Sequence, residues 1–182
     1  HVRVFRNKVI DNDTDNFAPE GNIVGEVPRG TGIIIQANSD VEVFDNDISG
    51  NGTVNVSIVT YSNETQDENY YPHPRSIQIH GNRFGEGGFD PDIGTGELAA
   101  ILFELSGGNM PDIFWDGIIP TSQIIFGQPD HERLILSNNG DATFLTINPI
   151  KYLLPFFDPV ETDITEYEGE VRPLAEITIN SF

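Results

Sequence analysis

Apolar and polar residues alternate with a period of two in three stretches of the chain that follow one rule. The rule is apolar, any residue, apolar, aromatic, any residue, Asn, any residue, apolar, and it fits residues 2–12, 41–51 and, more loosely, 77–87. Period-two alternation points one row of side chains inward along a strand, and Asn tolerates the left-handed backbone of a corner and forms local hydrogen bonds there. The sequence therefore predicts repeated strands and asparagine corners along one wall of a coiled sheet.

Two further strands complete the predicted coil. They cover residues 32–36 and 53–62, and the consecutive isoleucines of the first are typical of a parallel strand with neighbours on both sides. Aligning Ile34 with Val56 gives a coil of 22 residues (56 − 34), inside the range of roughly 20 to 45 residues that solenoid repeats span. The three matched stretches start further apart than one coil, so residues 13–30 and 63–75 are predicted to be loop insertions.

The pattern changes after residue 92, which divides the chain into coils at 1–92 and a C-terminal cap at 93–182. Within the cap, residues 97–105 predict a helix that closes the exposed end of the coil stack. Residues 133–147 flank Asn139-Gly140, a pair that favours the type I′ turn of a β-hairpin. An extended acidic tail, with a strand candidate at 174–179, is predicted to wrap along the surface.

The corners carry a resemblance to a known class. NKVIDN at 7–12 and NDISGN at 46–51 resemble right-handed parallel β-helix repeats of the class that includes periplasmic copper-loading accessory proteins and alginate epimerases. PDIFWDG at 111–117 and NNGDATF at 138–144 are similar to strings that close a family of bacterial exported parallel β-helix repeat proteins. The resemblance implies an all-β fold, with the last three or so coils of a right-handed parallel β-helix followed by a cap with a short helix and a β-hairpin. It also implies an extracellular, cell-surface or periplasmic location and polysaccharide as partner.

Composition narrows the possible partners. Nine Lys and Arg against 29 Asp and Glu give a formal net charge of −20, which repels nucleic acid and anionic membranes. The chain has no cysteine, so disulfides and thiolate sites are excluded, and it has no apolar run long enough for a transmembrane helix. Since His1 opens directly onto a strand-like stretch, the chain resembles a piece of a longer precursor, and the number of preceding coils stays open.

One acidic loop has the spacing of a calcium site. Asp11, Asp13 and Asp15 alternate along the chain, with Asn16 following, as carboxylates do in calcium-binding loops. The twelfth position of such a loop is occupied by Asn22 rather than a bidentate Glu. A solvated acidic turn is the alternative interpretation. Calcium is the only cofactor that the sequence suggests.

Aromatic residues gather in and beside the second predicted loop. Tyr61, Tyr70 and Tyr71 offer flat faces for sugar rings, and Arg75 could pair with a carboxylate of an acidic sugar. Trp115 is a further candidate sugar platform, although a lone tryptophan is more often buried. Tyrosines that simply pack a loop onto its scaffold are the alternative.

The same region holds the candidate catalytic residues. His73 or His80, with Tyr71 and Arg75, could abstract the proton next to a uronate carboxyl group, which is lyase or epimerase chemistry. Against this, His80 occupies the repeat position of Phe5 and Phe44, so it is interpreted as an aromatic residue at a strand end.

Three functions fit these observations. The first is a secreted or periplasmic β-helix module that binds or organises polysaccharide, with calcium as a possible aid. The second is an assembly subunit whose open first coil, edged by Val2 and Val4, stacks on another β-helix chain or on missing coils of the same precursor. The third is a polysaccharide lyase, epimerase or hydrolase on the same scaffold.

Overall fold

The computed structural model describes residues 1–19, 21–61, 67–95, 97–154, 156–172 and 174, with backbone alone at residues 97 and 98. Within them the chain passes repeatedly through three sheets, and all strands run parallel to their neighbours except the last. Sheet A contains β1 (Val2–Phe5), β4 (Ser39–Phe44), β7 (Arg75–His80) and β10 (Ile135–Ser137). Sheet B contains β2 (Lys8–Ile10), β5 (Asp47–Ser49) and β8 (Arg83–Phe84). Sheet C contains β3 (Thr31–Gln36), β6 (Val54–Val59), β9 (Ile113–Trp115), β11 (Phe144–Ile147) and β12 (Val160–Glu161).

The predicted repeat is confirmed by the strand register. Val2 lies beside Val41, and Val41 lies beside Ile77, so the three matched stretches stack residue for residue in sheet A. The alignment continues across sheet B and ends at a parallel bridge between Asn51 and Gly87. One coil therefore visits sheets A, B and C in turn before the next coil begins.

The predicted coil length is one residue short. Val56 pairs with Ile33, which gives a coil of 23 residues (56 − 33), whereas Ile34 pairs with Ser57. Ile33 packs toward the interior and Ile34 toward the outer face of sheet C. Because three consecutive isoleucines carry no alternation, the sequence does not reveal which of them faces inward. The adjacency of these two parallel strands, on which the coil rests, is confirmed.

The corners use a different residue for the left-handed backbone than predicted. Arg6, Asp45 and Gly81 have φ values of 56°, 55° and 62°, and each stands immediately before the asparagine of its corner. The asparagine instead turns its side chain into the coil, where it hydrogen-bonds to neighbouring coils. The sequence prediction was therefore wrong about the backbone role of these asparagines and correct about their place at the corner.

Two apolar layers hold the fold together. The inner layer fills the space between the three sheets and includes residues such as Val43, Ile48, Val56, Ile79 and Leu136. The outer layer lies on the far side of sheet C, where Phe114 and Leu145 of the strands meet Leu102 of a helix. Sheet C is therefore buried on both faces along part of its area, which explains why its strands are nearly continuous in apolar residues.

That helix is α1 (Glu97–Leu105), which has the predicted bounds. Its buried Leu102 packs against the outer face of sheet C, so α1 covers a sheet face rather than the end of the coil stack as predicted. Two shorter helices follow, α2 (Thr121–Phe126) and α3 (Pro149–Tyr152). Three 3-10 turns lie at Ile23–Glu26, Asp130–Glu132 and Ile164–Tyr167.

The predicted hairpin at 133–147 is wrong. β10 joins sheet A beside β7, and β11 joins sheet C beside β9, so the two strands do not pair with each other. The intervening Asn138 has φ 52°, and Asn139 extends the corner asparagines of the coils below it. The string NNGD is therefore one more corner, and the parallel stacking continues beyond residue 92.

The C-terminal end of the stack is covered by residues 160–167. β12 pairs antiparallel with β11, and the Tyr167 ring lies 4.9 Å from the Phe144 ring and 5.7 Å from that of Trp115. The chain then crosses the outer face of sheet A, where Gln78 exchanges two hydrogen bonds with the backbone of Arg172. This agrees with a tail along the surface. The strand predicted at 174–179 lies outside the described residues beyond Leu174.

Candidate functional site

A groove of about 880 Å³ runs along the outer face of sheet C. Its floor is formed by strands, and its walls are the 3-10 turn at Ile23–Glu26, helix α1 and helix α3. The lining side chains are mostly aliphatic, and they are Ile23, Glu26, Val27, Pro28, Ile34, Gln36, Val59, Thr60, Tyr61, Ile101, Asp116, Ile118, Ile147, Pro149, Tyr152 and Leu153. The groove exists because sheet C carries apolar residues on its outer face beyond the area that α1 covers.

Asp116 is the buried carboxyl group of the groove. It directly follows β9, and its two oxygens accept the backbone N–H groups of Thr60 at 2.6 Å and Ile118 at 3.0 Å. The turn needs Gly117, because φ is 68° there and a Cβ would overlap the backbone carbonyl of Ile147. Burial raises the pKa of Asp116 to about 6, even though both hydrogen bonds favour the carboxylate.

A histidine approaches the same end of the groove. The Nδ1 atom of His73 lies 3.4 Å from the Thr60 hydroxyl, and that hydroxyl lies 3.4 Å from the carbonyl oxygen of Ile118. Burial lowers the pKa of His73, so its neutral form is favoured. His73 and Asp116 thus share Thr60 and Ile118 as neighbours, and each has a pKa moved toward its uncharged form.

The predicted tyrosine loop is assembled, but its groups contact one another. The Tyr70 hydroxyl donates to the carbonyl of Tyr61, and the Tyr71 and His73 rings meet edge to face at 5.6 Å. Arg75 lies over Tyr71, 4.1 Å from the ring centroid, and its Nη1 is 3.5 Å from Glu132. Of these predicted residues, Tyr61 alone lines the groove. These contacts are the ones that the alternative interpretation, tyrosines packing the loop onto its scaffold, expects.

The other two aromatic candidates, Trp115 and His80, lie in the core and in a stack of rings. Trp115 is 6% exposed and belongs to the inner core, so its ring presents no open face to a sugar. His80 continues a stack formed by Phe5 and Phe44, with ring centroids 4.9 and 5.2 Å apart. His80 also lies 3.1 Å from Glu42. Its place as the aromatic residue of the third coil is therefore confirmed.

The acidic loop surrounds an arginine. The Arg29 guanidinium lies 3.0 Å from Asp90 and 3.8 Å from both Asp13 and Asp15. Asp11 lies apart from it over Gly50, where an added Cβ would overlap the Asp11 carboxylate. Within the part of the chain that the structure describes, no three His, Asp or Glu side chains converge as metal ligands. The Arg29 guanidinium thus lies beside the alternating carboxylates whose spacing predicted a calcium ion.

Two asparagine ladders connect the coils. The first runs Asn7, Asn46, Asn82, Asn139, and each side-chain N–H donates to the oxygen of the next at 2.9 to 3.2 Å. The second runs Asn12, Asn51, Asn55, Asp112, with steps of 2.8 Å. In the second ladder Asn55 comes from sheet C and occupies the space beside Gly87, which has no side chain.

The first coil is the exposed end of these ladders. Among the strands that the structure describes, β1, β2 and β3 are the edge strands of their sheets, and all three lie at the same end of the stack. Three of the nine basic residues of the chain, Arg3, Arg6 and Lys8, lie in this coil, and residues 1–10 contain no Asp or Glu. The edge is therefore locally basic on a strongly acidic protein.

Comparisons of the chain with protein-family models, curated proteins and solved structures found no match. Among the described residues, no helix is long and apolar enough to cross a membrane. The groove and the first coil are the features that bear on function. Asp116 was not predicted from the sequence as a site residue. The sequence signal for Asp116 was its position between an entirely apolar strand and a glycine, which is typical of a buried turn.

Proposed function

We propose that this protein is a right-handed parallel β-helix module that joins to a further parallel coil through β1 and β2. The observation that carries the proposal is that, among the described residues, one end of the stack is covered and the other is not. Residues 160–167 cover the C-terminal end, while no described strand pairs with the outer edges of β1 and β2. A sheet edge of unpaired donors and acceptors is a template for another strand.

Among the described residues, the corner asparagine of the first coil lacks hydrogen bonds that the later corner asparagines make. Asn46 and Asn82 each donate to a carbonyl oxygen of the coil before them, those of Val4 and Val43. Asn7 instead donates to Phe5 of its own coil, and among the described residues its side-chain oxygen accepts no hydrogen bond. A coil stacked on β1 and β2 would accept a hydrogen bond from the Asn7 side-chain N–H and donate one to the Asn7 side-chain oxygen.

The aromatic stack ends at the same place. Phe44 has a ring neighbour on each face, whereas Phe5 has a single ring neighbour among the described residues and is 44% exposed. The Arg6 guanidinium lies 5.9 Å from the Phe5 centroid. A further ring at this repeat position would bury apolar surface that the first coil now exposes.

The basic residues of the first coil favour an acidic joining coil. Arg3 pairs with Glu42 at 3.0 Å, Lys8 is aligned with Asp47, and Asp47 accepts a hydrogen bond from Arg83 at 2.6 Å. At this aligned position the stacked coils thus alternate in sign, from basic Lys8 to acidic Asp47 to basic Arg83. Opposite charges directly across strands stabilise a sheet and like charges destabilise it. The joining coil is therefore acidic at the positions aligned with Arg3, Arg6 and Lys8.

Peptide binding to the 182-residue chain tests this proposal. The probe is a labelled peptide with the sequence of residues 41–50, whose acidic positions match the basic edge. Its control is the same peptide with Glu42→Arg, Asp45→Arg and Asp47→Lys. Fluorescence anisotropy should show binding of the acidic peptide only.

A charge-reversed chain completes the experiment. Arg6→Glu with Lys8→Glu should invert the preference between the two peptides, while Arg133→Glu, away from this edge, should leave it unchanged. Equal binding of both peptides would contradict the charge rule. If neither peptide binds, the basic residues serve only to prevent strand pairing at this edge.

Polysaccharide binding and lyase or epimerase chemistry rank below assembly. The tyrosines and Arg75 that suggested them contact one another, and Trp115 is buried. An assembly role uses the features that the coils repeat most regularly.

A further inference from the structure

We propose that the groove on the outer face of sheet C binds an elongated apolar molecule that carries a cationic head group, of the alkylammonium class. This site is separate from the first-coil joint. It is built from the strands of sheet C and from five segments outside the strands, and no repeat position of the asparagine corners takes part in it.

Exposed apolar side chains line the groove. Ile118, Tyr152 and Leu153 line the groove, and each is more than 40% exposed. They come from two different segments, so the surface is concave rather than a single exposed helix face. The volume of about 880 Å³ falls in the range of roughly 300 to 1,000 Å³ typical of small-molecule sites.

The charged side chains that line the groove have one sign. Glu26 and Asp116 line the groove, and the described lining contains no Lys, Arg or His. Asp116 accepts two backbone N–H groups, which leaves lone pairs on both oxygens of its carboxylate. A cation is therefore attracted at this end, and an anion such as a fatty carboxylate is repelled.

The same lining argues against a saccharide. Sugar hydroxyl groups that leave water need hydrogen-bond partners, and burying each one without a partner is unfavourable. Among the groove residues, the polar groups besides the two carboxyls are confined to Gln36, Thr60 and the two tyrosines. Aliphatic walls with few polar groups suit an alkyl chain.

Isothermal titration calorimetry with three probes of one chain length tests the site. Dodecyltrimethylammonium and dodecanoate are titrated below their critical micelle concentrations, and dodecanol below its solubility limit, into the full chain at neutral pH. We expect the cation to bind about tenfold more tightly than the neutral alcohol, and the carboxylate more weakly than both, because an ion contact worth about 1.4 kcal/mol changes the affinity tenfold. An oligouronate is the saccharide arm and should not bind.

Three variants test where and how the probe binds. Ile118→Arg places a cation in the groove and should abolish binding of the ammonium probe. Ile125→Arg changes a more exposed isoleucine on α2 that does not line the groove, and it should leave binding unchanged. Asp116→Asn should remove the preference for the cation over the alcohol.

Circular dichroism and thermal melting establish that each variant is folded. The proposal is overturned if dodecanoate binds as tightly as the ammonium probe, or if Ile118→Arg binds that probe like the unmodified chain. Binding of the oligouronate, blocked by Ile118→Arg, would also overturn it by assigning the groove to saccharides.

Discussion

Asparagine side chains connect the coils at the residue scale. Asn46 is 1% exposed, accepts from the backbone and side chain of Asn7, and donates to Val4 and Asn82. A buried amide satisfied on both sides links three successive coils, whereas an unsatisfied one would be costly. The repeated asparagines thus set the register at the corners.

Removal of a ladder asparagine should destabilise the fold according to its position. Asn46→Ala leaves buried partners unsatisfied and should lower the free energy of unfolding by about 3 kcal/mol. Asn7→Ala, at the exposed end of the same ladder, should cost less than about 1 kcal/mol. Urea denaturation of both variants measures the difference. Equal losses would show that the ladder does not work as a continuous network.

Asp116 makes stability depend on pH. Its pKa is about 6 in the folded chain against 3.8 for an unperturbed group, so the folded state binds more protons between these values. Its contribution to stability is therefore fully present at low pH and falls by about 3 kcal/mol as pH rises through about 6.

The variant Asp116→Asn isolates this effect from the other carboxylates. The difference in unfolding free energy, variant minus wild type, should rise by about 3 kcal/mol between about pH 4 and pH 7. Thermal and urea unfolding at a series of pH values provide the measurement. A pH-independent difference would mean that Asp116 titrates normally in the folded protein.

At the element scale, sheet C differs from the other two sheets because it is apolar on both faces. Its outer row holds Ile34, Phe114 and Leu145, and α1 covers part of that row. The uncovered part becomes the floor of the groove. The position of α1 therefore determines both the stability of sheet C and the length of the groove.

Truncation of the buried face of α1 tests this arrangement. Leu102→Ala should lower the unfolding free energy by about 3 kcal/mol, because it leaves a cavity against the strands. Ile101→Ala, at a half-exposed position of the same helix, should cost about 1 kcal/mol. Urea denaturation compares the two. A similar cost at both positions would contradict the packing of Leu102 on sheet C.

Sequence reasoning predicted the elements where one pattern dominates. The helix at 97–105 was predicted with its bounds, and the three matched stretches were predicted as stacked strands. The hairpin failed because NNGD has the composition of a tight turn, while the long-range hydrogen bonds of Asn139 make it a corner. Short-range propensity does not contain that tertiary information.

The groove could not be predicted for a related reason. Its walls come from segments far apart in the sequence, and polar loop composition does not show where such segments meet. The local sequence of Asp116 indicates a turn but not a groove, and its pKa shift arises from burial. The arginine within the acidic loop likewise comes from the far end of that loop, so alternating carboxylates alone suggested calcium.

At the scale of the whole molecule, the coils stack in parallel and in register. The joint at the first coil, the alternation of charge and the groove on sheet C all follow from that stacking. The absence of cysteine from the chain makes the register directly measurable, since any introduced pair can be read without interference.

The decisive measurement is disulfide formation between engineered cysteines in sheet B. Lys8→Cys with Asp47→Cys joins two aligned positions on neighbouring strands, and this pair should oxidise to a disulfide in the folded chain. Lys8→Cys with Ser49→Cys is slipped by two residues, to a Cα separation of about 8 Å, and should remain reduced. Efficient oxidation of the slipped pair, or of neither pair, would contradict the parallel register.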